Sequence, residues 1–464
     1  MATLQQTAPN RPFDRGGLLA LSAAAGCLTA VLSGIIQHQG LILDPDGWAY
    51  WQGSVSLLEG HGYCLFYRSM PIDVFPPLFS CYLAAWQWAL GVSGRTLIIA
   101  NVFLNACCAL SWCWALLSLA RPSAVSLPRW RQWLTAIGVA YLPAGLIPAC
   151  SEYLLSDNLR LALVPWLVLA SMGARLATTR RALFQSTTIA VGVAALMMLA
   201  HNSCVAYVAA AAIVIASGRP NEVGRPARWA ASAALGLSLA PWIYLRWALG
   251  QLGSHPLGFG NGRLSPAEYA QRIIDSIAYL LCPRGAGWMI LPLALALAAR
   301  AALPGPDSGD AGRELQRRAR GMLLFAACVT LALFALFNLI WIADRLSPRF
   351  LSATALLLVG VAIYRGASLR SCALATACVA ALAGIPSLHS FQRAGVGLRD
   401  KAADFSPEDR RSPDVFLLRP NHTIRREVVD TGIERHGSWT VIPAPVFPWM
   451  LESESNRAQE EDRR

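Results

Sequence analysis

Apolar residues in this chain fall in long runs separated by shorter polar stretches. The runs reach about 15–24 residues, the length an α-helix needs to cross a bilayer. The one-sided apolar stripe of a soluble helix is scarce. Runs at 17–36, 97–120, 132–150, 157–174, 183–200, 202–217, 229–249, 288–303, 321–343, 350–365 and 371–387 predict eleven transmembrane helices. The predicted fold class is an all-α polytopic membrane protein. Composition agrees: 55% of the 464 residues are hydrophobic and 14% charged, little more than half the charged share of a soluble domain.

The polar stretches are of two kinds. Those at 121–131, 174–181, 218–228, 300–320 and 365–370 are rich in Arg. Those at 37–96, 150–157, 250–287 and 344–349 carry acids, aromatics, Gly and Pro. The two kinds alternate, and the positive-inside rule assigns the Arg-rich set to the cytoplasm. The expected topology has the N-terminus inside and the C-terminus outside a bacterial inner (plasma) membrane. This parity requires that 76–91 (PPLFSCYLAAWQWALG) not cross. The stretch opens on Pro76 and Pro77 and carries Trp86, Gln87 and Trp88, which suit the headgroup region. It is expected as an interfacial or re-entrant helix in the first external loop, a full crossing being the alternative. The chain divides into a membrane module, 1–387, and a small extracytoplasmic region, 388–464. In the latter VFLLRP and WTVIPAPVFPWM read as short strands, and the polar end reads as disordered.

Charge and cysteines narrow the classes. The net charge of +12 does not point to nucleic acid, because its Arg residues sit in short loops between apolar runs. Most of the twelve Cys lie inside apolar runs, where they act as small hydrophobes, and no Cys/His zinc spacing occurs. AAGC at 24–27 weakly matches a lipoprotein cleavage box, but the many later spans favour an ordinary first helix. NHT (421–423) and GFGNG (258–262) carry no functional reading here.

Carboxylates are rare, so their positions are informative. Asp44, Asp46, Glu59 and Asp73 fall in the first external loop, Glu152 and Asp157 in the second, Asp344 in the last. A solvated helix cap is the plain alternative for each, Asp157 included. Two acidic pairs on consecutive external loops can instead share a cavity and divide labour as base and metal ligand, or base and orienting partner. Arg345 and Arg349 lie four residues apart at a helix entry, where Arg suits bidentate contact with phosphate. Snorkelling to lipid headgroups is the alternative for Arg349, and pairing with Asp344 for Arg345. His201 and Asn202 interrupt an apolar stretch, either at a turn between two spans or inside the membrane.

The order of four stretches carries a resemblance. LDPDGWAYWQGSVSLLEGHGY follows the first span, then PIDVFPPLFSCYLAAWQWALGVSGRTLIIANVFLNA, YLPAGLIPACSEYLLSDNLRLAL and, late, SPRFLSATALLL. The chain resembles the GT-C superfamily of polyprenyl-phosphate-sugar glycosyltransferases over roughly residues 17–365. It is most similar to the bacterial branch of protein mannosyltransferases and lipid A aminoarabinose transferases. The resemblance implies a large helical membrane fold with an extracytoplasmic active site, a polyprenyl-phosphate sugar donor and an acceptor entering from that face. By position, Asp46 is the catalytic base or acceptor-orienting group, with Asp44 the alternate. Glu152 and Asp157 fall at the family's second acidic or polar motif. Arg349 falls where the family binds the donor phosphate; Arg345 or an Arg of the 250–287 loop is the candidate second cation. The family often has Arg near the position of His201; His201 here leaves that phosphate contact open. Pro45 stiffens the DPD sequence, so a divalent metal (Mg or Mn) on Asp44, Asp46 and Glu152 is open as well. A polytopic transporter or a non-catalytic membrane scaffold is the competing class; against the transporter, the acids gather on one face and no paired halves are evident.

Overall fold

The structure is a computed structural model. It describes residues 14–37, 41–43, 45–65, 70–72, 75–124, 129–147, 154, 156–218, 223–248, 265–268, 270–271, 273–274, 310–336, 353–354, 356–358, 416–418, 435–436 and 439–440. Helix α1 (Arg15–Gln37) is followed by strand β1 (Leu41–Leu43), helix α2 (Pro45–Leu58), the hairpin β2 (Cys64–Leu65) and β3 (Met70–Pro71), and helix α3 (Leu78–Leu90). Helices α4 (Gly94–Ala124), α5 (Arg129–Leu146), α6 (Asp157–Leu176), α7 (Arg180–Ala200) and α8 (Cys204–Ala216) come next. Helix α9 (Arg225–Ala234) runs through a 3₁₀ segment (Leu235–Leu239) into α10 (Ala240–Ala248). Helix α11 (Asp310–Ala335) and strands β4 (Phe416–Leu418), β5 (Arg435–His436) and β6 (Trp439–Thr440) complete the described elements.

Five of these helices have a segment long and apolar enough to cross a membrane: Arg15–Gln37, Gly94–Leu119, Asp157–Leu176, Arg180–Ala200 and Arg317–Ala335. The chain is thus a mostly helical, multi-pass membrane protein. Helix α8, at 13 residues, is shorter than the run that predicted it. Conversely, α11 begins eleven residues before the expected 321, because the Arg-rich stretch before the apolar run is itself helical. The expected spans 288–303 and 371–387, and most of 350–365, lie outside the described residues. Trp229 near one end of the α9–α10 rod and Trp247 near the other are exposed, 18 residues apart, with exposed Tyr244 one turn before Trp247. At 1.5 Å per residue that is about 27 Å, near the hydrocarbon thickness, the spacing of two aromatic belts.

Helix α4 is the hub, packing against α1, α3, α5, α6 and α11. Its contact with α1 buries small polar residues, Ser22, Thr29 and Ser33. Thr29 Oγ1 donates to the Ala25 carbonyl, and Asn105 Nδ2 donates to Ser33 Oγ across the pair. Small and hydroxylated side chains let helices approach closely where lipid tails are as apolar as Leu. On the other face of α1, Leu19, Leu28, Val31 and Ile35 are exposed.

The segment after α1 forms a small subdomain. Gly60 and Gly62, both left-handed (φ 79° and 83°), turn the chain from α2 into the hairpin, a conformation favouring glycine. Helices α2 and α3 pack on each other. Trp51 Nε1 donates to Gln87 Oε1 (3.2 Å), and Gln87 Nε2 donates to Ser54 Oγ (2.6 Å). Helix α3 has 13 residues, about 20 Å, short of the roughly 30 Å of a bilayer core. Strand β1 pairs antiparallel with β4, Leu41 opposite Leu418 and Leu43 opposite Phe416. The strands expected in VFLLRP and at Trp439 are present; β5, which pairs with β6, was not anticipated.

Candidate active site

Of the four acids expected in the site, Asp46 and Asp157 are described, and they sit at the starts of two different helices. Asp46 lies in the first turn of α2, directly after Pro45 at the first helical position. A helix N-terminus favours proline there and a carboxylate beside it. Asp46 is half-buried, hence open to a ligand. Asp157 is the first residue of α6, and the N-cap residue before it, Ser156, makes no side-chain cap bond.

Tyr50 joins them. It is buried, one turn beyond Asp46, and its hydroxyl lies 2.8 Å from Ser156 Oγ. Burial pushes the phenol well above its ordinary value of 10. Tyr63 pushes it up next, the Ser156 hydrogen bond lowers it, and Asp46 and Asp157 add smaller upward pushes. Both acids therefore bear electrostatically on one hydroxyl, which stays protonated and can donate. The ring rests on Phe75 and Phe79, at centroid distances of 5.1 and 5.2 Å. Phe79 belongs to α3, so the Pro-Pro segment helps to seat the phenol.

Behind Asp157 is an ion pair with no solvent access to its cation. Arg160 Nη2 lies 2.7 Å from Asp157 Oδ1; their side chains are 0% and 8% exposed. Arg160 Nη1 donates to Ser203 Oγ at 2.9 Å, and the guanidinium lies 5.9 Å from the Tyr207 ring centroid. Its burial, pairing and donor contacts make Arg160 a support for Asp157.

His201 closes the cluster in the turn between α7 and α8, the first of the two placements its sequence left open. Its Nδ1 accepts from the Ser203 backbone N–H at 3.0 Å and lies 2.8 Å from Ser203 Oγ. Arg160 can only donate to that hydroxyl, so the Ser203 proton turns toward His201 Nδ1. The pattern assigns the neutral tautomer with its hydrogen on Nε2, which faces Asp157 Oδ1 at 3.9 Å. His201 is thus a neutral N–H donor, not a substitute for an arginine's charge. Beside it, Asn202 Oδ1 accepts from Trp242 Nε1 at 2.9 Å.

The structure brings Asp46, Asp157 and His201 to one end of the bundle. Asp44, Glu152, Arg345 and Arg349 lie outside the described residues. Among the described residues no group of three or more His, Cys, Asp or Glu is placed to hold a metal. Sequence reasoning missed Tyr50, Ser156, Arg160, Ser203 and Tyr207. Arg160 had a signal, an ionisable residue inside the apolar run NLRLALV. The others had none, since Tyr and Ser are ordinary at helix ends.

No family model and no curated protein matches this chain. Solved structures do, two of which follow. One is ArnT from Cupriavidus metallidurans in the apo state, with a TM-score of 0.47 and 13% identity over 84% of this chain and 63% of that one. The other is the Archaeoglobus fulgidus oligosaccharyltransferase in complex with Zn and sulfate, with a TM-score of 0.44 and 12% identity over 80% and 53% of the two chains. The chain thus spans less than two thirds of the length of either.

Proposed function

We propose that the chain is an inverting-type membrane glycosyltransferase, moving a sugar from a polyprenyl-phosphate donor to an extracytoplasmic acceptor in the cell envelope. The observation that carries this reading is the 2.8 Å contact of the Tyr50 hydroxyl with Ser156 Oγ, which ties the helix that opens at Asp46 to the one that opens at Asp157. Asp46, half-open at a helix N-terminus, takes the acceptor proton. Asp157, fixed by Arg160, orients the acceptor with the Nε2–H of His201. The acceptor oxygen or nitrogen bonds to the anomeric carbon as the carbon–phosphate-oxygen bond breaks. The bonding pair leaves with the lipid phosphate, and attack opposite the leaving group inverts the anomeric centre.

The developing negative charge needs cations in a site shielded from water. Arg349 and Arg345 are assigned that role from their place in the sequence, with the apolar helix surface holding the isoprenoid tail. The orientation proposed is that of the charge pattern, with Asp46 and the 388–464 region outside. The pairing of β1 with β4 supports a shared side for these two.

The test is Asp46→Asn in proteoliposomes supplied with polyprenyl-phosphate sugars. A positioned base contributes about 10²–10⁴-fold, so transfer falls by that factor while the lipid phosphate still binds. Undiminished transfer removes Asp46 from the chemistry. Absence of transfer by the wild-type chain across a donor and acceptor panel favours the scaffold or transporter class.

A further inference from the structure

A groove of about 470 Å³ runs between α7 and the α9–3₁₀ unit. Leu183, Phe184 and Val191 line one wall, Ala230, Ala234 and Leu237 the other. It exists because α9 presents small side chains at Ala227, Ala230, Ala231 and Ala234 where bulkier ones would close the space. Arg180 stands at its end, in the first turn of α7, whose far end carries His201. Twenty-one residues of helix place that His about 30 Å away, so the groove lies in the opposite membrane half from the candidate active site.

Two observations say what fits it. The first is charge. Arg180, Arg181 and Arg225 are all exposed at this end. From Thr178 to Arg228 the chain has five Arg and a single acid, Glu222. The second is a hydroxyl. Thr187 lines the groove and is 6% exposed, and its Oγ1 has no hydrogen-bond partner among the described residues. Its neighbour Thr188 bonds back to the Phe184 carbonyl at 3.0 Å. Thr187 lies two helical turns from Arg180, about 10 Å along the axis on the same face.

The geometry points to a binding site for one anionic glycerophospholipid, with its phosphate on Arg180, Arg181 and Arg225 and one acyl chain along the groove. The ester oxygens supply the acceptor for Thr187. A polyprenyl phosphate has the charge but no oxygen along its chain, so the hydroxyl selects the glycerolipid. Burial of the tail adds little, since bilayer lipid is equally apolar. Affinity comes from charge, about fivefold per Arg near an anionic headgroup and about hundredfold for three. This site does not depend on the reading of the opposite end.

The experiment is native mass spectrometry of the full chain, released from detergent with competing phosphatidylglycerol and phosphatidylcholine. The wild-type chain retains one phosphatidylglycerol in preference to phosphatidylcholine. Arg180→Gln/Arg181→Gln/Arg225→Gln loses that preference by about hundredfold. Thr187→Val, which keeps the helix and all three charges, weakens phosphatidylglycerol by about fivefold and leaves polyprenyl phosphate unchanged. Equal retention of the two phospholipids overturns the proposal. So does retention indifferent to both variants, displacement by polyprenyl phosphate at equal concentration, or no lipid retained because a segment of the chain itself fills the groove.

Discussion

Replacing Arg160 by Met tests how firmly the second acid is held. The guanidinium is wholly enclosed and 2.7 Å from Asp157 Oδ1, whose side chain is 8% exposed. Water screens such a pair little, so the 0–1 kcal/mol of a surface ion pair does not apply. Removing one partner strands a buried carboxylate, which costs about 3–5 kcal/mol. At about 1.4 kcal/mol per factor of ten, the unfolding equilibrium shifts by roughly two to three and a half powers of ten. The lost Arg160–Ser203 bond falls within that range. Asp157→Asn added to Arg160→Met removes the stranded charge, so the double variant is more stable than the single Arg160→Met. The assay is reversible unfolding in mixed micelles for the wild type, both single variants and the double. A cost below about 1 kcal/mol for Arg160→Met, or a double variant equal to the sum of the singles, refutes the argument.

Three further outcomes follow from the same geometry. Arg228 is buried and donates to the carbonyls of Ala174 (2.9 Å), Arg175 (3.0 Å) and Ala177 (2.8 Å), capping the C-terminal end of α6. Arg228→Met orphans them and costs about 2–4 kcal/mol, read by the same unfolding assay. The Tyr50 phenol, raised above 10 by burial and then by Tyr63, keeps its proton in the fold after the unfolded chain has lost it. Its stabilising effect is fully present below pH 10 and is lost as the pH climbs from there toward the folded value. Tyr50→Phe therefore shows a shallower loss of stability above pH 10 than the wild type in a pH-dependent unfolding series. A Cβ at Gly53 would stand 2.6 Å from Tyr63 Cε2 and 2.8 Å from Ile72 Cδ1. Gly53→Ala thus displaces the hairpin, costs about 1–3 kcal/mol and lowers transfer, measured by unfolding and by product formation.

Much of the helical layout was legible because apolar run length is a local property. The runs at 17–36, 157–174 and 183–200 match α1, α6 and α7 closely, and Pro76-Pro77 marked the start of α3. The boundary of α11 was not legible, since its charged first turns are helical without being apolar. Asp46, Asp157 and His201 stood out as candidates because charge and imidazole are conspicuous in an apolar chain. Their supports were hidden for a different reason. Tyr50 meets Ser156 across 106 positions and Arg160 meets Ser203 across 43, and no local pattern announces such pairings. Arg228 was read as part of a cytoplasmic charge loop, yet its side chain points inward to cap a neighbouring helix. Loop charge counts tell which side an Arg lies on, not what it touches.

Mass spectrometry of envelope lipids and glycans decides whether the proposed sugar transfer occurs, comparing cells that lack this protein with cells carrying it restored as wild type or as Asp46→Asn. The account predicts one sugar-bearing species that disappears without the protein, returns with the wild type and does not return with the variant. An unchanged glycan and lipid profile, or equal restoration by Asp46→Asn, would contradict it.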